Sequence, residues 1–165
     1  MSIKKLYEDL IEDRLNFFKN LKELIGTGFD INTKDEDGMS LLHRVVYAFR
    51  YNDELEKEVI KHLIKNGADV NNARPRSNWT PLFNAIMPIS VAKVQVLLEN
   101  GANPNVRDSD GATPLFRAMQ PTDEHYEVVK LLLKYGADPN IPYSSGEFPI
   151  NRVKEKRFRD LYTKK

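Results

Sequence analysis

The chain has 165 residues, of which 41% are hydrophobic and 30% charged, a balance that excludes a disordered polymer and fits one compact folded unit. Its net charge of +1 lacks the basic excess of a nucleic-acid binder, and the absence of cysteine excludes a disulfide framework, a Cys-ligated zinc and a thiol nucleophile. No run approaches the ~18 apolar residues of a membrane span, and the opening Met1-Ser2-Ile3-Lys4-Lys5-Leu6-Tyr7-Glu8-Asp9 turns acidic too early for a secretory signal, so a cytoplasmic address is expected.

In chain order, Ser2–Gly26 comes first. Leu6, Leu10 and Ile11, then Phe18, Leu21, Leu24 and Ile25, recur at helical spacing, with Glu12-Asp13-Arg14 suited to a turn between two helices. The competing reading is a single long helix or a coiled-coil seam through Ile3, Leu6, Leu10, Phe17, Leu21 and Leu24, but Asp13 falls within that seam. The phrase Gly28-Phe29-Asp30-Ile31-Asn32 follows. Stronger copies stand at Gly67-Ala68-Asp69-Val70-Asn71, Gly101-Ala102-Asn103-Pro104-Asn105 and Gly136-Ala137-Asp138-Pro139-Asn140, so successive glycines lie 39, 34 and 35 residues apart.

A second phrase keeps step 12 or 13 residues behind each glycine: Ser40-Leu41-Leu42-His43-Arg44-Val45, Thr80-Pro81-Leu82-Phe83-Asn84-Ala85, Thr113-Pro114-Leu115-Phe116-Arg117-Ala118 and the degenerate Phe148-Pro149-Ile150-Asn151-Arg152-Val153. Thr or Ser there suits a helix N-cap and proline the first helical position. The glycine after Leu-Leu suits a left-handed C-cap. Between the phrases lie two short helices per unit. Leu42, Val45 and Val46 mark the first stripe of the first unit, and Val59, Ile60, Leu63 and Ile64 the second. The next units repeat this with Leu82, Ala85, Ile86 and Val94, Val96, Leu97, Leu98, then Leu115, Ala118, Met119 and Val128, Val129, Leu131, Leu132, Leu133. Second helices apolar on several sides must be covered by neighbouring units. Self-similarity at this period means a stacked array, which exposes an extended binding surface rather than a catalytic pocket.

These phrases resemble ankyrin repeats, whose unit of ~33 residues is a β-turn plus two helices with the signature Thr-Pro-Leu-His-x-Ala. The likeness runs from about Leu15 to Val153. It implies an all-α ankyrin-repeat solenoid, stacked helix-turn-helix pairs joined by β-turn fingers, with about three full repeats between caps. The expected division of the single domain 1–165 is an N-terminal cap at 1–33, repeats at 34–72, 73–105 and 106–140, and a C-terminal cap at 141–165 ending in a basic helix over Phe148–Tyr162. Four departures stand out. Phe83 and Phe116 replace the usual histidine, kept only as His43. The turns near Ala48–Leu55 and Pro121–Glu124 are lengthened. Arg74-Pro75-Arg76-Ser77-Asn78-Trp79 is one residue longer than its counterparts and lacks their glycine.

Residues for chemistry are sparse. His43, His62 and His125 do not pair at ligand spacing, and no phosphate loop or nucleophile elbow occurs, so no catalytic residue, metal or cofactor is expected. His43 reads as a structural hydrogen-bonding residue. Asp35, Glu36 and Asp37 read as solvated acids on a turn. Lys154, Lys156, Arg157, Arg159, Lys164 and Lys165 crowd the end with Phe158 and Tyr162, which reads as a solvated face with its aromatics turned inward rather than a nucleic-acid surface. Met1–Met39 holds 9 acidic and 6 basic residues, Ile141–Lys165 7 basic and 3 acidic, which suits two solvated end caps or an electrostatic docking face.

The resemblance implies a concave working face made of finger tips and first helices. Carried onto this chain, the tips are Glu36, Asp37 and Met39; Arg74, Arg76, Ser77 and Trp79; Ser109, Asp110 and Ala112; Ser144, Ser145 and Glu147. The helices add Arg44 and Tyr47, Asn84 and Met87, Arg117 and Gln120, and Arg152. Trp79, flanked by two arginines, is the foremost candidate, because Trp, Tyr and Arg dominate interface hot spots. Packing onto Phe83 or Phe116 is its alternative role. The resulting expectation is a non-catalytic module, monomeric when free, that captures a folded protein and neither nucleic acid nor membrane. More specific versions are an adaptor or inhibitor, an immunity-type protein neutralising a toxin enzyme, and a host-targeted effector.

Overall fold

Apolar spacing of three and four residues closes into eight α-helices and no strand among the described residues of the computed structural model, which are 8, 14–48 and 54–163. In chain order they are α1 (Arg14–Gly26), α2 (Leu41–Ala48), α3 (Glu54–Lys65), α4 (Pro81–Ile86), α5 (Val91–Glu99), α6 (Pro114–Ala118), α7 (Asp123–Lys134) and α8 (Lys156–Thr163), with a 3₁₀ helix at Pro149–Arg152. The short first helices α2, α4, α6 and the 3₁₀ helix pack in series, and the longer second helices α3, α5 and α7 form a layer behind them. The core lies between the layers. Leu42, Val45, Leu82, Ala85, Leu115 and Ala118 meet Val59, Ile60, Val94, Leu97, Val128 and Leu132 there, all nearly or wholly buried. The array is the all-helical solenoid that the two phrases anticipate.

The phrases act as capping devices. At the end of α5, Gly101 N–H donates to Leu98 C=O (3.1 Å) and Ala102 N–H to Leu97 C=O (3.0 Å), a Schellman closure. The same pair of bonds closes α3 at Gly67 and Ala68, and α7 at Gly136 and Ala137. N-capping is less uniform. Thr113 Oγ1 accepts from Phe116 N–H at 3.1 Å, and Ser90 and Thr122 cap α5 and α7 likewise. Thr80 does not: its buried hydroxyl makes no cap bond.

The last residue of each glycine phrase joins one unit to the next. Asn32 Nδ2 donates to Gly67 C=O (2.9 Å) and its Oδ1 accepts from Asp69 N–H (2.7 Å). Asn71 clamps Gly101 C=O and Asn103 N–H in the same way, and Asn105 clamps Gly136 C=O and Asp138 N–H. One polar contact inside the core was not signalled by any motif. Lys93 of α5 and Glu56 of α3, both buried, approach to 3.6 Å, and Lys93 Nζ donates to Val46 C=O of α2 at 2.9 Å.

The two ends stand differently against expectation, the first being largely untested and the last changed. Ile3, Leu6, Leu10, Ile11 and the turn at Glu12-Asp13 lie outside the described residues. Within α1, Phe17, Leu21 and Leu24 are buried in the array's own core, so the described part of the heptad is already covered. The expected basic helix over Phe148–Tyr162 is divided in two. Pro149 starts a 3₁₀ turn, and Val153, in extended conformation with its side chain buried, breaks the helical path before α8.

The asparagine ladder sets up a graded test. Asn71→Ala deletes two inter-unit bonds and should lower unfolding free energy by about 1–2 kcal/mol. Asn140, whose amide donates only back to Asp138 among the described residues, should cost less than ~0.5 kcal/mol when replaced by alanine. Urea titrations of the two variants check the difference.

Candidate partner-binding face

Each finger is a closed turn. The N–H of its first residue donates to the carbonyl before the next helix: Asp35 to Met39 (2.9 Å), Arg74 to Trp79 (2.9 Å), Asp108 to Ala112 (2.9 Å) and Tyr143 to Glu147 (2.8 Å). Gly38, Gly111 and Gly146 hold the left-handed position in three fingers. In the longer second finger Asn78 takes that place at φ 54°, a conformation asparagine tolerates better than most side chains. Gly111 is required twice over. It sits at φ 87°, and a Cβ there would lie 2.1 Å from Ser144 Oγ, which donates to Asp110 C=O and so ties two fingers together.

Two fingers are braced from beneath by arginine. Asp35 Oδ1 accepts from the N–H groups of Asp37 and Met39, both at 3.0 Å, while Arg44 bonds Asp35 (2.6 Å) and Asp37 (2.5 Å). Asp108, Asp110 and Arg117 repeat this nine and seven residues apart. Burial works against ionisation of Asp35, but the Arg44 guanidinium and the two N–H donors outweigh it and hold the carboxyl below its ordinary range. Asp35 is therefore a built-in part of the finger, not a solvated acid. Asp35, Asp108 and the Asp-to-Arg spacing of nine were legible as a pattern, yet the chain carries it in only two units. In the second finger Arg74 replaces the aspartate and Asn84 the arginine; in the last, Tyr143 replaces the aspartate and Arg152 remains.

The predicted positions divide accordingly. Met39 and Asn84 are buried, the latter with its Nδ2 reaching the His43 carbonyl at 3.4 Å, so neither side chain is presented at the surface. Ala112 is buried too. Arg44 and Arg117 are engaged with carboxylates, and Asp37 and Asp110 with them. Glu36, Arg76, Ser109, Ser144, Ser145, Glu147 and Arg152 are exposed, while Arg74, Ser77 and Gln120 are half-buried. Arg152 lies over the Phe116 ring (4.6 Å), whose other contact is a stack with Tyr143 (4.7 Å).

Trp79 has both of its anticipated environments. Its ring stacks on Phe83 at 5.9 Å and 20°, and it also lines an open depression of about 430 Å³. The other walls are Tyr47, Ile86, Met87, Pro88, Ile89, Gln120 and His125. Tyr47 is 49% exposed and Met87 38%. The structure thus brings Tyr47, Trp79, Met87 and Gln120 from three successive units to one place. Pro88, Ile89 and His125 were missed as lining residues. For His125 the signal was present in Thr122-Asp-Glu-His125, an N-cap spacing within the lengthened turn: Thr122 Oγ1 accepts from His125 N–H (3.3 Å) and lies 2.7 Å from Nδ1. Burial pushes the His125 imidazole below its ordinary pKa, against the opposing pull of Glu124. The other lengthened turn, Arg50-Tyr51-Asn52-Asp53, lies outside the described residues.

The basic end is largely engaged. Phe158 is fully buried against Tyr126, Tyr162 is half-buried, Lys156 pairs with Asp160, and Arg157 pairs with Glu155 and Asp123. Lys164 and Lys165 lie outside the described residues. No helix among the described residues is long and apolar enough to cross a membrane.

Known proteins share this architecture. A family model described as ankyrin repeats (3 copies) matches residues 14–108 and 42–143. The chain is 32% identical over 119 residues to the palmitoyltransferase ZDHHC13 of Homo sapiens, a match covering 66% of this chain and 18% of that protein. It is 38% identical over 61 residues to the 2-5A-dependent ribonuclease of Homo sapiens, covering 37% of this chain and 8% of that protein. A protein named for its ankyrin repeats, FPV031 of Fowlpox virus (strain NVSL), is 30% identical over 110 residues, covering 67% of this chain and 31% of that protein. The chain thus spans less than a third of each of these relatives, and the two enzyme names describe proteins most of whose length it does not match.

His43 stitches the first full unit to the next and gives a pH test. Its Nε2–H donates to the Trp79 carbonyl (3.0 Å), which leaves Nδ1 to accept from the Ser40 hydroxyl (2.9 Å). Burial lowers its pKa from 6.5 to about 4, against the bond to Trp79. A histidine depressed in this way favours the fold in full above pH 6.5 and loses that contribution as pH falls toward 4. Between pH 7 and 4.5 it should remove on the order of 2–3 kcal/mol of stability. Urea midpoints across that range should fall less steeply in His43→Gln than in the parent chain.

Proposed function

This chain belongs to the ankyrin-repeat family, and from that premise we propose that it captures a folded protein partner on the face formed by its fingers and first helices, centred on the depression beside Trp79. Ankyrin arrays are in general non-catalytic protein-interaction modules, so the question is which part of this surface does the binding. One observation carries the choice. Of the three exposed large hydrophobics among the described residues, Tyr47, Met87 and Phe148, two meet in a single depression next to the chain's one tryptophan. Apolar side chains gathered in a concavity and rimmed by polar groups are the make-up of an interface hot spot.

The surrounding construction supports rigid capture. The asparagine ladder and the finger braces hold the face in shape before any partner arrives, so little ordering is needed on binding. A standard interface of roughly 1,600 Å² in total would extend from the depression onto the neighbouring finger tips. The exposed Glu36, Arg76, Ser109 and Ser144 would form its rim. The stoichiometry is one array to one partner, and no cofactor takes part.

A photo-crosslinking amino acid at position 87 should trap a partner in the native cell, while the same group at Gln95, exposed on α5 in the second-helix layer, should not. With the trapped protein purified, Trp79→Ala should weaken binding by at least ~2 kcal/mol in calorimetric titration. Equal trapping at both positions, or unchanged affinity, refutes this face.

A further inference from the structure

We infer that the partner segment seated on this face carries an apolar side chain, which enters the depression, beside a carboxylate, which lies over the finger bearing Arg74 and Arg76. This rests on the reading of the Trp79 face above and adds the chemistry of what it accepts.

The first half follows from the walls. Among the described residues, aspartate, glutamate, lysine and arginine are absent from the lining. Thr122 Oγ1 accepts from His125 N–H and lies 2.7 Å from Nδ1, so that ring nitrogen is already engaged within the wall. A charged occupant would lose part of its hydration here with no opposite charge among the described wall residues to compensate it. An apolar one displaces water from Tyr47, Met87 and the indole face without stranding a charge, and the Tyr47 hydroxyl, the Gln120 amide and the indole N–H remain at hand for backbone groups beside it.

The second half follows from what the second finger lacks. Each of the other three fingers carries at least one carboxylate: Asp35, Glu36 and Asp37 in the first, Asp108 and Asp110 in the third, Glu147 in the last. The second has none and holds two arginines. Arg76 is exposed, three residues from Trp79, and makes no ion pair or side-chain hydrogen bond among the described residues. Across the cleft it shares with the first finger, Asp35 and Asp37 are already bonded to Arg44, which leaves Glu36 as the one carboxylate there without a side-chain bond among the described residues. Lys34 also lines that cleft and donates to the Ala73 carbonyl at 2.6 Å. Arg74 donates to the Asp37 carbonyl, so among the described residues three cations without a carboxylate partner, Lys34, Arg74 and Arg76, stand against Glu36 alone, and an anionic group complements that cationic surplus.

Selection of random 12-residue peptides displayed on phage, against the whole chain, tests this. Enriched peptides are synthesised and titrated by the emission of Trp79, the chain's single tryptophan. Leu, Ile, Met or Phe beside Asp or Glu should dominate. Met87→Glu and Arg76→Glu should each raise Kd at least tenfold. Lys154→Glu, an exposed charge reversal in the last unit, should change it less than twofold. Peptides that Met87→Glu abolishes, but that carry basic flanks or respond equally to Arg76→Glu and Lys154→Glu, overturn the acidic partner and leave the face standing. Peptides indifferent to Met87→Glu, or no enrichment over the Met87→Glu protein, overturn both.

Discussion

A bidentate amide clamp between consecutive units is the contact on which the rest of this structure depends. Where the chain leaves each second helix, the Schellman closure satisfies the last helical carbonyls but leaves the glycine C=O and the next Asp or Asn N–H turned outward. The asparagine of the preceding unit supplies one donor and one acceptor to those two groups, at 2.7–3.1 Å throughout. A unit's exit is thus incomplete without its neighbour. Because both bonds come from one planar amide, they fix the offset between units as well as their contact. The fingers inherit that offset, which is how side chains more than thirty residues apart, such as Tyr47 and Met87, come to share one wall.

Beneath the fingers the chain uses two kinds of stitch, one polar and one aromatic. The first and third fingers have the Asp–Arg brace; the second and last do not. Where Arg74 and Asn84 replace the brace, His43 from the preceding unit bonds the Trp79 carbonyl and Asn78 Nδ2 reaches the Arg107 carbonyl of the next finger. Phe83 and Phe116, standing where a histidine is usual, cannot bond across units. They instead offer flat surfaces on which Trp79 and Tyr143 stack. In the second unit loss of the polar brace and gain of an aromatic platform coincide, whereas the third keeps its brace and carries Phe116 as well. It is in the second that a large ring stands at the surface with cationic side chains beside it.

The stacked helix pairs, their capping phrases and the structural role of His43 were legible because each rests on local spacing: glycine after an apolar pair, Thr-Pro before one, a period of 34 to 39 residues. Proximity across units was less legible. Asn84, on α4, and Met87, just past its end, occupy similar-looking positions three residues apart, yet one reaches the His43 carbonyl and the other reaches solvent. Met39 was expected at a finger tip because its neighbours are there. Its side chain is instead buried, where the N–H of Asp35 closes the finger onto the Met39 carbonyl. The ion pair of Lys93 with Glu56 had no signal at all, since each stands in an unremarkable stretch of amphipathic helix and they meet only when α3 and α5 pack. His125 fell between these cases: its capping partner was visible, its second role as a wall of the depression was not.

Trp79 has two duties, and their coupling decides how its substitution is to be interpreted. Its ring covers Phe83 in the free protein, so part of its apolar surface is already removed from water before a partner binds. That stack also fixes the indole's orientation, which lowers the conformational entropy lost on binding but makes the residue part of the fold. A change in affinity on removing Trp79 therefore mixes lost contact with a loosened finger. Arg76 carries no such ambiguity. It is exposed, holds nothing in place among the described residues, and contributes charge rather than packing. An affinity change on reversing Arg76 reports what the partner presents to the finger, whereas one on removing Trp79 reports the contact and the finger's own integrity together.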